Sequence, residues 1–306
     1  MPTARALRCV RRSGACARTL LLVLAVTAPA LHIAPVNAQL VSTGFVTSDG
    51  VRLHVLEGGH AGAGGPVIAF VTGWSMPASL WGPQLVALGA RYRVAALDPR
   101  GQGESEIPAS GFAIERRAED VREFIARYPS VLLVGWSLGA LEALQYVHRY
   151  GETRLAGLAL VDSSVGEGPA PPPGGSFQAD LRRDRAATVD AFVRAIFKTP
   201  QPEAAIANLT ASALRMPLES SLTLFPSNVP REHWRGIVRG FSKPLLYAVT
   251  SQFAAQAGYL KKQRPATRVE VFADAGHALF VDEPERFAAL LSAFIGEHTL
   301  MPKPPD

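Results

Sequence analysis

Beyond residue 39 the chain alternates short apolar or β-branched runs with longer stretches whose apolar positions recur at helical spacing. Residues 51–57 (VRLHVLE) alternate apolar and polar, as a half-buried strand does. Residues 67–72 (VIAFVT), 93–97 (RVAAL), 131–134 (VLLV), 158–161 (LALV), 245–249 (LLYAV) and 269–272 (VEVF) are compact runs, most of them continuously apolar, as in strands buried on both faces. Helical patterns over 79–90, 115–128, 138–150 and 284–297 lie between them. Strand and helix in alternation predict an α/β fold: a mainly parallel sheet flanked by helices on both faces.

One stretch breaks the alternation. Residues 163–242 carry no convincing strand. The segment starts with a Gly/Pro run over 166–175 (GEGPAPPPGG), which fits neither helix nor sheet interior. Helical patterns follow, such as 189–198 (VDAFVRAIFK), with Phe192, Ile196, Phe197, Leu222, Leu224, Phe225 and Trp234 to bury. So much chain without structure is out of keeping with a compact domain. The reading is a helical cap over 163–242, inserted between two parts of one core, 39–162 and 243–306.

The first 38 residues read as an export signal. Arg5, Arg8, Arg11, Arg12 and Arg18 form a basic leader without an acidic residue. An apolar run from Leu20 to Ala28 follows, then Pro29 and Pro35, and Val36-Asn37-Ala38 resembles a small-x-small cleavage site. The run falls short of the ~20 residues that span a bilayer, so removal is expected to leave no stable membrane anchor. The expected location is periplasmic or secreted. Removing the leader changes the charge. The whole chain is +5, from 31 basic and 26 acidic residues. The leader's five Arg leave 26 against 26, so the balance gives no sign of a nucleic-acid partner. Both cysteines, Cys9 and Cys16, also lie in the leader. The remainder has no thiol for a disulfide, a nucleophile or a metal site.

The chemistry concentrates where residues 131–139 read VLLVGWSLG. An apolar strand runs into Gly135-Trp136-Ser137-Leu138-Gly139, and a helical pattern begins at once. Gly-x-Ser-x-Gly between strand and helix places Ser at the apex of a strained turn, with its hydroxyl presented above the sheet edge. Side chains at the flanking positions would collide there, and the helix N-terminus favours developing negative charge.

With three further stretches, the order of motifs resembles the α/β-hydrolase superfamily over nearly the whole chain past the leader. Thr72-Gly73-Trp74 stands where that family has its oxyanion-hole loop, usually His-Gly. Residues 98–105 (DPRGQGES) resemble its loop after the fourth strand, and 275–280 (AGHALF) follow the last strand. Gly-Trp-Ser-Leu-Gly with a helical cap is most similar to small serine carboxylesterases, such as the pimeloyl-ester carboxylesterase and cofactor-free haloperoxidase groups. The resemblance implies an eight-stranded sheet.

Roles follow from acyl transfer. A Ser hydroxyl needs a base within hydrogen-bond reach. Of seven His, only His277 follows a last strand in a Gly-containing loop, so Ser137 is the expected nucleophile and His277 the general base. The tetrahedral intermediate needs N–H donors. Leu138, after the nucleophile, is expected to give one, and the resemblance assigns the other to Trp74. The acid is displaced. Most family members carry Asp after the seventh strand, but here 250–256 read TSQFAAQ, and no carboxylate lies between Val249 and Glu270. Some members carry the acid at the end of the sixth strand, where Asp162 stands, so Asp162 is the choice. Asp274 is the weaker alternative, Asp282 and Glu283 are expected to cap the last helix, and Asp98 to hold its own loop.

No cofactor or metal is expected, since neither a dinucleotide fingerprint nor a His pair at helical spacing occurs. The expected function is hydrolysis of a small-molecule carboxylic ester, thioester or lactone, with an apolar acyl or aryl group suggested by the cap, Trp74 and Trp136. Amide or C–C bond hydrolysis on the same residues, or a triad-bearing ligand receptor with little turnover, stay open.

Overall fold

The computed structural model describes residues 40–59, 65–170 and 177–298. The leader and its cleavage site, His60 and the end of the Gly/Pro run lie outside the described residues. In chain order the elements are β1 (Val41–Val46), β2 (Arg52–Gly59), β3 (Val67–Val71), α1 (Gly82–Gly89), β4 (Arg93–Leu97), α2 (Ile114–Ile125), β5 (Val131–Trp136), α3 (Leu138–Tyr150) and β6 (Leu155–Val161). Then come α4 (Phe177–Arg183), α5 (Arg185–Ala195), α6 (Glu203–Leu214), α7 (Leu218–Thr223) and α8 (Arg231–Gly240). The chain closes with β7 (Leu245–Thr250), α9 (Ala254–Gln263), β8 (Arg268–Phe272), α10 (Leu279–Asp282) and α11 (Pro284–Glu297).

The eight strands form one sheet in the order β1-β2-β4-β3-β5-β6-β7-β8. β1–β2 and β2–β4 are antiparallel, and the pairs from β4 to β8 are parallel. All five residues of β3 and all six of β5 are buried, so alternate side chains fill two separate cores. Ile68, Phe70, Leu132 and Val134 pack on one face with Leu85 of α1 and Phe287 and Phe294 of α11. Val67, Val71, Val131 and Leu133 pack on the other with Val121 of α2, Ala143 and Leu144 of α3 and Leu260 of α9. The chain reverses its direction of travel across the sheet between β3 and β5. A crevice opens at such a point beyond the carboxyl ends of the strands. The five helices α4–α8 all fall between β6 and β7. Leu181, Val189, Val193, Ile196 and Leu222 bury their apolar faces in the same core as Trp74 and Trp136.

Among the elements of the core not read from the sequence pattern are β1 and α9. β1 is an edge strand whose residues are mostly exposed, so it has no apolar alternation to read. α9 (AAQAGYLKKQ) is short and buries only Gln256, Ala257 and Leu260.

The loop after β4 is anchored by charge. The fully buried Arg100 guanidinium donates Nε and Nη2 to Asp120 of α2, at 2.6 and 2.7 Å, and reaches Asp49 at 3.0 and 3.2 Å. Removing one partner from a buried pair costs about 3–5 kcal/mol, because a charge is stranded. Arg116 also holds Asp120, at 2.7 Å, so Arg100→Met is expected to lose stability near the lower end of that range. Urea unfolding at neutral pH checks this.

Candidate active site

Ser137 sits alone between the last residue of β5 and the first of α3, at φ 55° and ψ −119°. A non-glycine residue in this region costs on the order of 1–3 kcal/mol and persists only where its surroundings enforce it. The backbone contacts show what enforces it. A Cβ on Gly135 would lie 2.4 Å from the Gly139 carbonyl oxygen, and one on Gly139 would lie 2.5 Å from that of Val71. Both glycines of the motif are therefore required by close backbone approach. The Ser137 N–H donates to Val161 O at 2.9 Å, tying the turn to the end of β6, one residue before Asp162.

His277, in the loop after β8, meets both residues. Its Nδ1 is 2.7 Å from Asp162 Oδ2, and its Nε2 is 2.9 Å from Ser137 Oγ. A carboxylate only accepts, so Nδ1 carries the ring proton and Nε2 is left to accept from the Ser137 hydroxyl. Asp162 is fully buried and also has a positive φ, 42°. Its other oxygen accepts the Thr250 N–H at 2.7 Å. The last residue of β7 thus supplies a main-chain donor that holds the acid standing just past the end of β6.

Asp274 does not reach the ring. Its side chain is 96% exposed, with Lys198 Nζ 3.9 Å away. Asp98 holds its loop as expected, accepting from the N–H groups of Ala78 and Glu104 and from His54 Nδ1. That bond to Asp98 raises the His54 pKa. His54 Nε2 also meets Ser42 Oγ at 2.7 Å, but Ser42 lies in the extended edge strand β1 and not at a strand-to-helix turn. His148 and His233 meet edge to face, and so do His298 and Phe294.

Gly73 lies against the serine, with Trp74 next to it in the chain. A Cβ on Gly73 would come within 3.0 Å of Ser137 Cβ. Among the described residues, neither the Trp74 nor the Leu138 main-chain N–H has a backbone acceptor. The two indoles divide. Trp74 is in contact with Phe177, Phe192 and Phe225, with ring centroids 5.3–5.6 Å away, and donates Nε1 to Ser221 O. Trp136 is wholly buried behind His277 and donates Nε1 to the His277 carbonyl at 2.8 Å, so it supports the His loop rather than lining a pocket.

Asp282 corrects a second expectation. Glu283, not Asp282, occupies the N-cap of α11, and it makes no side-chain cap bond. The Asp282 carboxylate instead accepts the N–H of Gly276 at 2.7 Å, those of Lys198 and Thr199 at 2.9 Å, and the Thr199 hydroxyl. Ala278 N–H adds a bond to Ile196 O at 2.8 Å. The His277 loop is thus stitched to the chain just after α5. The pattern of acidic residues before Pro284 gave no sign of this, because the partners are distant backbone groups.

The profile of the Alpha/beta hydrolase family matches residues 68–290, from β3 into α11. The chain belongs to that family. A pimeloyl-[acyl-carrier protein] methyl ester esterase of Neisseria meningitidis serogroup A is 26% identical over 241 residues, 74% of this chain and 76% of that one. A non-heme haloperoxidase of Rhodococcus erythropolis is 36% identical over 121 residues, 38% of this chain and 43% of that one. Among solved structures, an esterase from Rhodococcus sp. ECU1013 superposes with a TM-score of 0.69 at 25% identity, covering 83% of this chain and 98% of that one. The hydrolase is esterase-like in sequence and in fold.

Burial raises the Asp282 pKa, but the bonds from Thr199, Lys198 and Gly276 outweigh it and hold the group below its ordinary 3.8. A depressed carboxylate stabilises the fold fully above its unfolded pKa and less as pH falls through the folded one. Asp282→Asn turns an amide NH2 toward backbone donors. The stability gap between wild type and this variant is expected to be full above about pH 5 and to shrink as pH falls below the ordinary carboxylate range, read by thermal melts at a series of acidic pH values.

Proposed function

We propose that this hydrolase cleaves carboxylic esters, or the related thioesters and lactones, through an acyl-enzyme on Ser137. The observation that carries the reading is the continuous Ser137–His277–Asp162 hydrogen-bonded chain at the carboxyl ends of β5, β8 and β6. Ser137 Oγ attacks the acyl carbon while His277 Nε2 takes its proton. His277 then returns that proton to the departing alcohol oxygen, and a water deprotonated by the same nitrogen resolves the acyl-enzyme. Asp162 fixes the ring and stabilises the imidazolium. The Leu138 and Trp74 N–H groups receive the oxyanion.

The substrate is a small molecule with an apolar acyl or aryl group. What supports this is the aromatic set of Trp74, Phe177, Phe192 and Phe225, which brings residues 177–225 of a cap onto the neighbour of Gly73, the glycine that lies against Ser137. Export rests on the leader alone. N-terminal sequencing of the protein recovered outside the cytoplasm is expected to begin near Gln39, and an intact Met1 on that protein would contradict it.

A series of p-nitrophenyl esters tests the reaction. Steady turnover is expected, and Ser137→Ala abolishes it. Asp162→Asn is expected to lower kcat by about 10⁴-fold, as loss of the His-orienting acid does elsewhere, while Asp274→Asn leaves kcat near wild type. A burst without turnover would favour a receptor over an enzyme. Near-normal kcat in Asp162→Asn would remove that residue from the mechanism.

A further inference from the structure

Gln102, in the loop after β4, is 1% exposed, and the oxyanion loop wraps around its carboxamide. Nε2 donates to Gly73 O at 3.0 Å, to Met76 O at 3.1 Å and to Thr72 Oγ1 at 3.3 Å. Oε1 accepts the Ser75 N–H at 3.1 Å and Arg117 Nη2 at 3.3 Å. Every acceptor faces the NH2 and every donor faces the oxygen, so only one orientation of the amide fits. No carboxylate, hydroxyl or apolar side chain could replace it.

The bond to Gly73 O has a consequence for the neighbouring donor. Gly73 C=O and Trp74 N–H belong to one planar trans peptide, so they point in opposite directions. Fixing the carbonyl on Gln102 fixes the Trp74 N–H pointing away from Gln102. The bond to the Ser75 N–H holds the next peptide plane, at a residue with φ 56°. A non-glycine residue there needs such restraint. Behind Gln102, Arg117 of α2 pairs with Glu142, and both are about 1% exposed. Glu142 lies on α3, the helix whose first residue is Leu138. One buried chain, Glu142–Arg117–Gln102, therefore joins the helix of one oxyanion donor to the loop of the other.

We propose that Gln102 is a positioning residue for the oxyanion hole, setting the direction of the Trp74 N–H relative to Leu138. The proposal rests on the acyl-enzyme reading of Ser137. It also accounts for Thr72 at a position where His is usual, since Gln102 makes the loop's outer hydrogen bonds.

An aryl trifluoromethyl ketone tests it, because its hemiketal on Ser137 places an ionisable oxygen in the hole. Gln102→Met keeps the volume and removes the bonds. Gln102→Glu keeps an acceptor toward Ser75 and removes the donor. Both are compared with wild type per active site, after titration with a fluorophosphonate. Losing one oxyanion donor costs about 10²–10³-fold, and a misdirected one less. The expected result is a kcat/KM roughly 10–100-fold lower, mostly in kcat, with ketone affinity weakened by a similar factor. The ¹⁹F signal of the adduct should also show the hemiketal ionising at higher pH than in wild type. A merely structural role would lower the melting temperature and the titrated fraction without moving that midpoint. Unchanged kcat/KM per site and an unchanged midpoint in either folded variant would overturn the proposal. If neither variant folds, Thr72→Val with Met76 and Gly73 contacts retained must show a smaller shift of the same sign, and no shift there overturns it. A wild type that forms the adduct without turnover would count against the ester-hydrolase reading alone, because the midpoint comparison does not need turnover.

Discussion

His277 makes two hydrogen bonds from one ring, to a hydroxyl and to a buried carboxylate, and the surrounding fold is arranged to keep both at once. The main chain around His277 is itself held by three bonds. Trp136 grips its carbonyl, Asp282 grips the preceding amide, and Ile196 O takes the following one. These restraints come from β5, α10 and the chain after α5. The residues inserted between β6 and β7 therefore help to hold the His277 ring in place, in addition to placing aromatic side chains around Trp74.

The sheet supplies the other half of the geometry. Parallel strands bring their carboxyl ends to one edge, so the segments after β3, β4, β5, β6 and β8 converge there without further design. What remains costly is local. Ser75, Ser137 and Asp162 all hold positive φ angles without being glycine. Each is restrained through its own main-chain N–H by a neighbouring segment: Ser137 N–H donates to Val161 O, Asp162 N–H to Ala248 O, and Ser75 N–H to the Gln102 side-chain oxygen. Strain of this kind collects at functional sites because only a surrounding rigid scaffold can maintain it.

The sequence made the fold class, the elbow and His277 legible, because each depends on a local signal: apolar period, paired glycines, a histidine after a strand. Asp162 was reachable only because the segment after β7 carries no acid. Its actual support, the Thr250 N–H, is a backbone contact that no residue type announces. The contacts of Gln102 and Asp282 were illegible for the same reason. Both act on main-chain groups distant in sequence, and a Gln in a Gly-rich loop or an Asp before a Pro-led helix has commoner local uses. β1 was unread because an exposed edge strand needs no apolar face.

The most direct test of the central claim is covalent labelling with a fluorophosphonate, read by intact mass and peptide mapping. The account expects one adduct per chain, on Ser137, forming far more slowly in His277→Ala. An adduct on another serine with Ser137 unmodified, or labelling that does not depend on His277, would contradict it.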